Sequence, residues 1–239
     1  MKNFNFLLTT AIIGVVLTAC QEQEVITSTE QANDADIQYI YLLDNEVASS
    51  NVFDLSDEGL NILVSSEKNQ EKTNIVIRAF TDEKDYIKFG EQHDIKLKEQ
   101  LMFEKHMRSY AVTSGAIAEY EKTGIVPESY SLYEKDYYNK SFGQSNARTE
   151  SVNTALYKNF PGGGGSSIIM FGTMPAMGLG WNNVVSSFEG LGVYGFTTMY
   201  DRSFYRNKLF TYWHWGFVKI PLSGPLAGAN DKMSSGVSN

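Results

Sequence analysis

The sequence predicts two folded domains, an α+β domain at residues 37–142 and an all-β domain at residues 152–239, behind an N-terminal apolar segment. Residues 37–80 contain short runs of β-branched and aromatic side chains, which are typical of strands. Helical periodicity follows these runs. Beyond residue 152, short apolar runs alternate with glycine and serine and carry almost no charge, a pattern typical of antiparallel sheet. With 239 residues, the chain is long enough to bury a core in each domain.

The composition excludes two classes of protein. Hydrophobic residues make up 42% of the chain, which is too many for a chain that is disordered throughout. The formal net charge of −8 argues against a protein that binds duplex nucleic acid, because such a protein needs a basic face to neutralise phosphates. We therefore expect no nucleic-acid partner.

The N-terminus has the features of an export signal. Lys2 supplies a positive charge, residues 6–17 form an apolar run too short to span a membrane comfortably, and the run closes at Leu17-Thr18-Ala19-Cys20. This segment resembles a bacterial lipoprotein signal. The resemblance implies that residues 1–19 are a signal peptide, that Cys20 is lipidated, and that the protein is exported and anchored to a membrane, the outer membrane being our expectation. The alternative is an ordinary secretory signal with an incidental cysteine.

Residues 20–36 are polar and lack periodicity, which indicates a flexible tether between the membrane and the fold. The tether begins with Gln21-Glu22-Gln23-Glu24, and an acidic start of this kind loosely resembles a surface-export signal of lipoproteins. Periplasmic-facing and outward-facing placements are both compatible with it. Cys20 is the only cysteine of the chain, so lipidation leaves none for a disulfide.

Within residues 37–142 we predict strands at residues 37–43, 61–64 and 74–80, followed by helices. Thr81 is placed to cap the first helix and Asp94 to cap a second, which runs from Ile95 until Gly124 stops it. Pro127 begins another helix.

The functional residues of this first domain are not evident from its sequence. The tyrosines of the last helix have the spacing of a packed helix face, and His93 and His106 lie in charged surroundings typical of solvated surface histidines. A nucleophile, a base and an orienting group do not cluster in this region, so we expect no enzymatic activity.

Residues 143–151 are small and polar and are predicted to be a linker. Beyond them the chain repeats one order of elements: strand, hairpin, strand, proline-containing loop and a polar hexamer. The strands of the first repeat are predicted at residues 154–157 and 167–171, and those of the second at residues 196–200 and 208–213.

The two hexamers are Asn182-Asn183-Val184-Val185-Ser186-Ser187 and Asn230-Asp231-Lys232-Met233-Ser234-Ser235. Each presents two amides or carboxylates, two spacers and two hydroxyls. Oxygen donors crowded in this way suit calcium, which takes six to eight oxygen ligands, backbone carbonyls and neutral amides among them.

These hexamers and their hairpins resemble the calcium-binding form of the βγ-crystallin family, whose motif is Asn/Asp-Asn/Asp-x-x-Ser/Thr-Ser. The resemblance covers about residues 152–239 and implies a Greek-key sandwich of two four-stranded sheets with one calcium site in each motif. It implies one site with Asn182, Asn183 and Ser186 and another with Asn230, Asp231 and Ser234. The carbonyls of Val184 and Lys232 are further candidate donors.

The same resemblance makes predictions for neighbouring residues. Ser187 and Ser235 should hydrogen-bond the folded hairpins, and Val185 and Met233 should point into the core. Asn207 stands where the family has a glycine, and asparagine tolerates the left-handed backbone that this position requires. In the first hairpin, Gly162 stands where the family has an aromatic residue.

We therefore expect a non-enzymatic, calcium-stabilised lipoprotein. The alternative is a recognition module for glycans or for a secreted protein such as a protease, in which exposed Trp213 and Trp215 stack on a ligand. Core packing is the favoured interpretation for most of this aromatic cluster.

Overall fold

A computed structural model describes residues 37–49, 60–68, 73–143, 153–158, 167–178, 180–191, 195–214, 219–222 and 224–238. The predicted signal peptide, the tether, Cys20, most of the linker, the glycine-rich first hairpin and Trp215 lie outside the described residues. None of the helices among the described residues is long and apolar enough to cross a membrane.

The described residues that precede the linker form four strands and four helices. The strands are β1 (Ile37–Leu43), β2 (Glu46–Val47), β3 (Asn61–Lys68) and β4 (Thr73–Phe80). The helices are α1 (Glu83–Gln92), α2 (Leu97–Thr113), α3 (Ala116–Thr123) and α4 (Glu128–Phe142). The three predicted strands are thus confirmed as β1, β3 and β4, because β-branched and aromatic side chains fit a buried sheet.

The helix boundaries depart from the prediction at three residues. Asp82, rather than Thr81, caps α1, and its side chain accepts a hydrogen bond from the Lys84 backbone N–H. Asp94 has a left-handed backbone and does not cap α2, whose N-cap residue is Lys96. The single long helix predicted from Ile95 to Gly124 is divided at Gly115, where a φ of +76° allows the turn between α2 and α3.

The part that follows the linker contains eight described strands and one 3-10 helix, Gly224–Ala229. The strands are β5 (Asn153–Tyr157), β6 (Ser167–Phe171), β7 (Thr173–Met174), β8 (Ser187–Leu191), β9 (Gly195–Arg202), β10 (Arg206–His214), β11 (Lys219–Pro221) and β12 (Ser235–Ser238). The four strands predicted from the repeat are confirmed as β5, β6, β9 and β10.

The strands form two sheets. One has eight strands in the order β2-β1-β4-β3-β10-β9-β12-β7, and the other has four in the order β11-β8-β5-β6. The two repeats exchange strands, because β7 of the first repeat pairs with β12 of the second, and β11 of the second pairs with β8 of the first.

The two predicted domains share the eight-stranded sheet. Strand β3 pairs in parallel with β10, with Leu63 opposite Thr211 and Val64 opposite Tyr212. The residues described on both sides of the predicted linker at residues 143–151 belong to one compact unit. A physical reason is that pairing removes the exposed edges of β3 and β10, whose backbone groups otherwise lack partners.

The eight-stranded sheet lies between the helices and the four-stranded sheet, with a core on each face. On β3, Ile62 and Val64 pack toward the four-stranded sheet, where Phe188 and Met233 are also buried. Leu63, which alternates with them, packs in the other core with helix residues such as Phe103 and Met107. This alternation follows from the two-residue repeat of a strand.

A buried carboxylate attaches α4 to the β9–β10 hairpin. The Tyr205 hydroxyl donates a short hydrogen bond to Glu134, and the Thr173 hydroxyl donates another at 3.2 Å. Burial raises the pKa of Glu134 to about 7, although both hydrogen bonds act in the opposite direction.

Histidine 214 requires a glycine in the facing sheet. Its side chain is fully buried, and a Cβ added at Gly190 would lie 2.4 Å from its Nδ1 atom. Because a contact of that length between these atoms is not tolerated, Gly190 is the residue that lets the two sheets close over His214.

We predict that Gly190→Ala destabilises the protein by about 1–3 kcal/mol, because the added methyl group forces His214 to move inside a packed core. Gly178→Ala is the matched control, since a Cβ there meets nothing within 4 Å. Urea unfolding of the two variants measures the difference. Equal stability of the two variants would contradict the packing described here.

We predict that Glu134 makes the protein lose stability as the pH rises from about 4.5 to about 7. In this interval the folded state holds a proton on Glu134 that the unfolded state has released, so folding becomes less favourable as the proton is lost. The contribution is at most about 3 kcal/mol.

Glu134→Gln keeps an oxygen acceptor for Tyr205 and removes the titration. The free energy of unfolding of this variant should change less between pH 5 and pH 8 than that of the wild type, as measured by urea unfolding. Identical pH profiles would show that Glu134 does not titrate differently in the two states.

Candidate metal site

The two hexamers lie against each other in a reciprocal arrangement. The Asn183 backbone N–H donates to the Met233 carbonyl at 3.1 Å, and the Asp231 N–H donates to the Val185 carbonyl at 3.2 Å. Asn183 and Asp231 occupy equivalent positions in their hexamers, and both have a left-handed backbone, with φ of +55° and +54°. The structure thus pairs the hexamers about an approximate two-fold relation.

The fifth residues of the hexamers, Ser186 and Ser234, extend this equivalence. The Ser186 N–H donates to the Tyr157 carbonyl and the Ser234 N–H to the Tyr200 carbonyl, each at 2.8 Å. Their own carbonyls accept from Leu222 at 2.9 Å and from Met177 at 2.8 Å. Each hexamer is therefore held in place by backbone hydrogen bonds, independently of its side chains.

The second and fourth positions of the hexamers separate surface from core. Val185 and Met233 are fully buried in the core between the two sheets, as predicted. Asn183 and Asp231 have a left-handed backbone, and both residues are exposed. Asparagine and aspartate tolerate this conformation better than most residues, which is the physical reason for their presence there.

Two predicted ligands of the first hexamer, Ser186 and Asn183, form side-chain hydrogen bonds with different parts of the fold. The Ser186 hydroxyl donates to the Lys158 carbonyl at 2.8 Å, at the end of β5. The Asn183 side-chain oxygen accepts from the hydroxyl of Ser234 at 3.0 Å, across the pair of hexamers. Asn182 is exposed, and its backbone N–H donates to the Gly178 carbonyl.

The predicted ligands of the second hexamer form two contacts, one between Asn230 and Asp231 and one between Lys232 and Ser234. The amide nitrogen of Asn230 donates to the Asp231 carboxylate at 3.2 Å, while its side-chain oxygen is buried without a hydrogen-bond partner among the described residues. The Lys232 carbonyl accepts from Ser234 at 3.4 Å. An unpaired oxygen that is shielded from water costs free energy unless a further donor or a cation reaches it.

The paired hexamers carry no net formal charge, because Lys232 offsets Asp231. Asp231 is their only carboxylate, and among the described residues no group of three or more His, Cys, Asp or Glu side chains converges on one point. The Lys158 ammonium lies 4.8 Å from the Trp181 ring, next to the first hexamer. A cation here would be held mainly by neutral oxygens.

Two predictions about the second hairpin are confirmed. The Ser235 hydroxyl donates to the Arg202 carbonyl at 2.7 Å and accepts from the Tyr205 N–H at 3.3 Å, so it bridges the turn between β9 and β10. Asn207 has a φ of +55°, the left-handed conformation expected where the family has a glycine.

The structure shows the burial and packing of Trp213, His93 and His106, which the sequence had singled out. Trp213 is only 8% exposed and packs against Phe89, so core packing is confirmed for this tryptophan. His93 is exposed, as predicted. His106 is partly buried, stacks on Tyr137 at 3.9 Å between ring centroids and shares a hydrogen bond with Tyr133, so it is less solvated than predicted.

A charged groove between α2 and the β9–β10 hairpin was not predicted from the sequence. The sequence does indicate the helical side of the groove, because the spacing of four residues places them on one helix face: Leu101, Glu104, Lys105 and Arg108. Its other side comes from residues about a hundred positions later, and no local pattern connects the two.

A solved structure described as "Evolution of the eye lens beta-gamma-crystallin domain fold" is similar to this chain over 38% of this chain and 87% of its own, with 19% identity and a TM-score of 0.31. No model of a protein family and no curated protein matches the chain. These results do not assign the chain to a family.

Proposed function

We propose that the protein is a calcium-binding, non-enzymatic lipoprotein, anchored to a membrane through Cys20, in which calcium stabilises the paired hexamers. The observation that carries the proposal is the buried side-chain oxygen of Asn230, which has no hydrogen-bond partner among the described residues and belongs to the same hexamer as the Asp231 carboxylate. A hard cation with oxygen ligands suits this oxygen.

The donor set also fits calcium better than the commoner transition metals. The paired hexamers offer amide, hydroxyl, carbonyl and carboxylate oxygens, whereas zinc and copper prefer nitrogen and sulfur. Asn182, Asn183 and Ser186, with the Val184 carbonyl, would serve one site. Asn230, Asp231 and Ser234, with the Lys232 carbonyl, would serve the other.

The contact between Asn183 and Ser234 joins residues proposed for different sites. Because the Asn183 oxygen accepts the Ser234 hydroxyl, calcium at either site would compete with this hydrogen bond or polarise it. We therefore propose that the two sites are coupled. Asp231 gives the second site the greater ligand charge, so this site should bind calcium more tightly, with Lys232 reducing the advantage.

Calcium would hold the two sheets together. The hexamers precede β8 in one sheet and β12 in the other, so a cation that rigidifies the hexamers also fixes the two sheets relative to each other. We propose that residues 152–239 are a Greek-key domain of the βγ-crystallin type. The reciprocal exchange of β7 and β11 and the two-fold relation of the hexamers support this proposal.

We predict that calcium raises the melting temperature. Ligand that binds only the folded state adds roughly 2.7 kcal/mol at a hundredfold excess over its dissociation constant. Asp231→Asn keeps the left-handed backbone but removes the charge, and should weaken calcium binding. Asn183→Asp should strengthen it by adding a carboxylate at the equivalent position.

Calorimetric calcium titration of residues 20–239, after treatment with a chelator, measures both effects, and magnesium serves as the competing ion. Opposite changes in affinity for the two variants are the expected result. The absence of heat and of a melting shift in the wild type would remove calcium from the proposal.

We predict that Cys20→Ser releases the protein from the membrane fraction when it is produced with its own N-terminus in a bacterium that processes lipoproteins. The physical reason is that the thioether-linked lipid supplies the apolar anchor. Mass spectrometry of the wild type should show a lipid on Cys20. A wild type that is unlipidated would contradict the anchor without affecting the proposal about calcium.

A further inference from the structure

A groove of about 520 Å³ lies between α2 and the β9–β10 hairpin and shares no residue with either hexamer. Its volume is within the range of pockets that hold small organic ligands. It is lined by residues of α2 and of the hairpin, by Glu83 at the start of α1, and by residues at or next to the ends of β3 and β4. The chemically important ones are Glu83, Glu104, Lys105, Arg108, Arg202, Arg206 and Lys208.

The charge of the groove is opposite to that of the chain. Five of these seven side chains are cationic and two are anionic, whereas the whole protein carries a formal net charge of −8. Cations concentrated in a concave site on an acidic protein attract anions, because the walls of a cleft focus the local field.

Two of the cations lie opposite each other on adjacent strands. Arg202 and Arg206 are direct cross-strand partners in the β9–β10 ladder. Like charges in this position destabilise a sheet, so the arrangement has a cost unless an anion lies between or beside them.

The acids of the structure neutralise only part of this charge. Lys105 is paired with Glu83 at 2.7 Å, Lys208 lies 3.8 Å from Glu104, and Arg206 lies 3.9 Å from Glu121.

Arg108 and Arg202 form no ion pair within the described part of the chain. A guanidinium group presents two parallel N–H donors that match the geometry of a carboxylate, sulfate or phosphate. These two arginines are therefore the groups that remain available to a ligand.

The floor of the groove is held in place. Buried Glu104 accepts a hydrogen bond from the Tyr200 hydroxyl at 2.7 Å. The Lys208 ammonium donates to the Asn61 side chain at 3.1 Å and lies 4.7 Å from the Tyr86 ring. A ligand would thus meet one cation, Lys208, that is already positioned, which reduces the entropy lost on binding.

We propose that this groove binds a small organic ligand that carries a phosphate, sulfate or carboxylate group, with Arg108 and Arg202 as the residues that contact the oxyanion. Arg206 and Lys208 increase the positive field around it. The volume of the groove exceeds what a bare oxyanion needs, so the remainder of the ligand occupies the space next to Leu60 and Leu101.

Calorimetric titration of residues 20–239 with a hexose phosphate, a hexuronate, the uncharged hexose and inorganic phosphate tests the proposal. At least one of the organic anions should bind, binding should weaken as salt is raised, and the uncharged hexose should not bind. Arg108→Gln and Arg202→Gln should each reduce the affinity about tenfold, the effect of losing one charged hydrogen-bonding group.

Lys98→Gln is the matched control, because Lys98 is an exposed cation on α2 that does not line the groove. Its affinity should equal that of the wild type. Circular dichroism and melting temperatures identify any variant that fails to fold, and the exposed position of Arg202 makes Arg202→Gln the safer of the two arginine variants.

Three results would overturn the proposal: no binding of either organic anion, affinities that are unchanged in both arginine variants, or inorganic phosphate binding as tightly as the organic anions. Titrations repeated with calcium and with a chelator separate this site from the hexamers, since the groove shares no residue with them.

Discussion

The parallel pairing of β3 with β10 is the constraint on which the rest of the structure depends. It joins residues 61–68 to residues 206–214 and so turns two short sheets into one sheet of eight strands. A sheet that is covered on both faces needs apolar side chains at successive positions, and Ile62, Leu63 and Val64 supply them. Both cores, and the groove between α2 and the hairpin, exist because this pairing brings the helices over β9 and β10.

The β9–β10 hairpin contacts the second hexamer and α4 and lines the groove. The turn of the hairpin is held by the hydroxyl of Ser235, which is the last residue of the second hexamer. Tyr205 attaches the same turn to Glu134 of α4, and Arg202 and Arg206 line the groove. Ser235 therefore connects the second hexamer to a hairpin that also lines the groove, although the two sites have no residue in common.

Neutral oxygens and buried hydroxyls hold the hexamers, whereas charged groups line the groove. The hexamers carry one acid and one base, and their geometry comes mainly from reciprocal backbone hydrogen bonds. The groove is organised by side chains such as Glu104, Tyr200 and Lys208. The hexamers offer the oxygen ligands that a hard cation needs. The groove offers the charged N–H donors that bind an anion.

The sequence by itself determined most of the strands and the repeat, because these follow from local periodicity. The buried positions of Val185 and Met233 and the left-handed backbone of Asn207 were predicted from the resemblance of the repeat to a known motif, and the structure has them. Only the tertiary structure decided that the two predicted domains share one sheet, that Ser234 reaches Asn183 in the other hexamer, and that the cations of α2 meet those of the hairpin. These contacts join residues far apart in the chain, and their free energy comes from burying strand edges and apolar faces together, which no local pattern records.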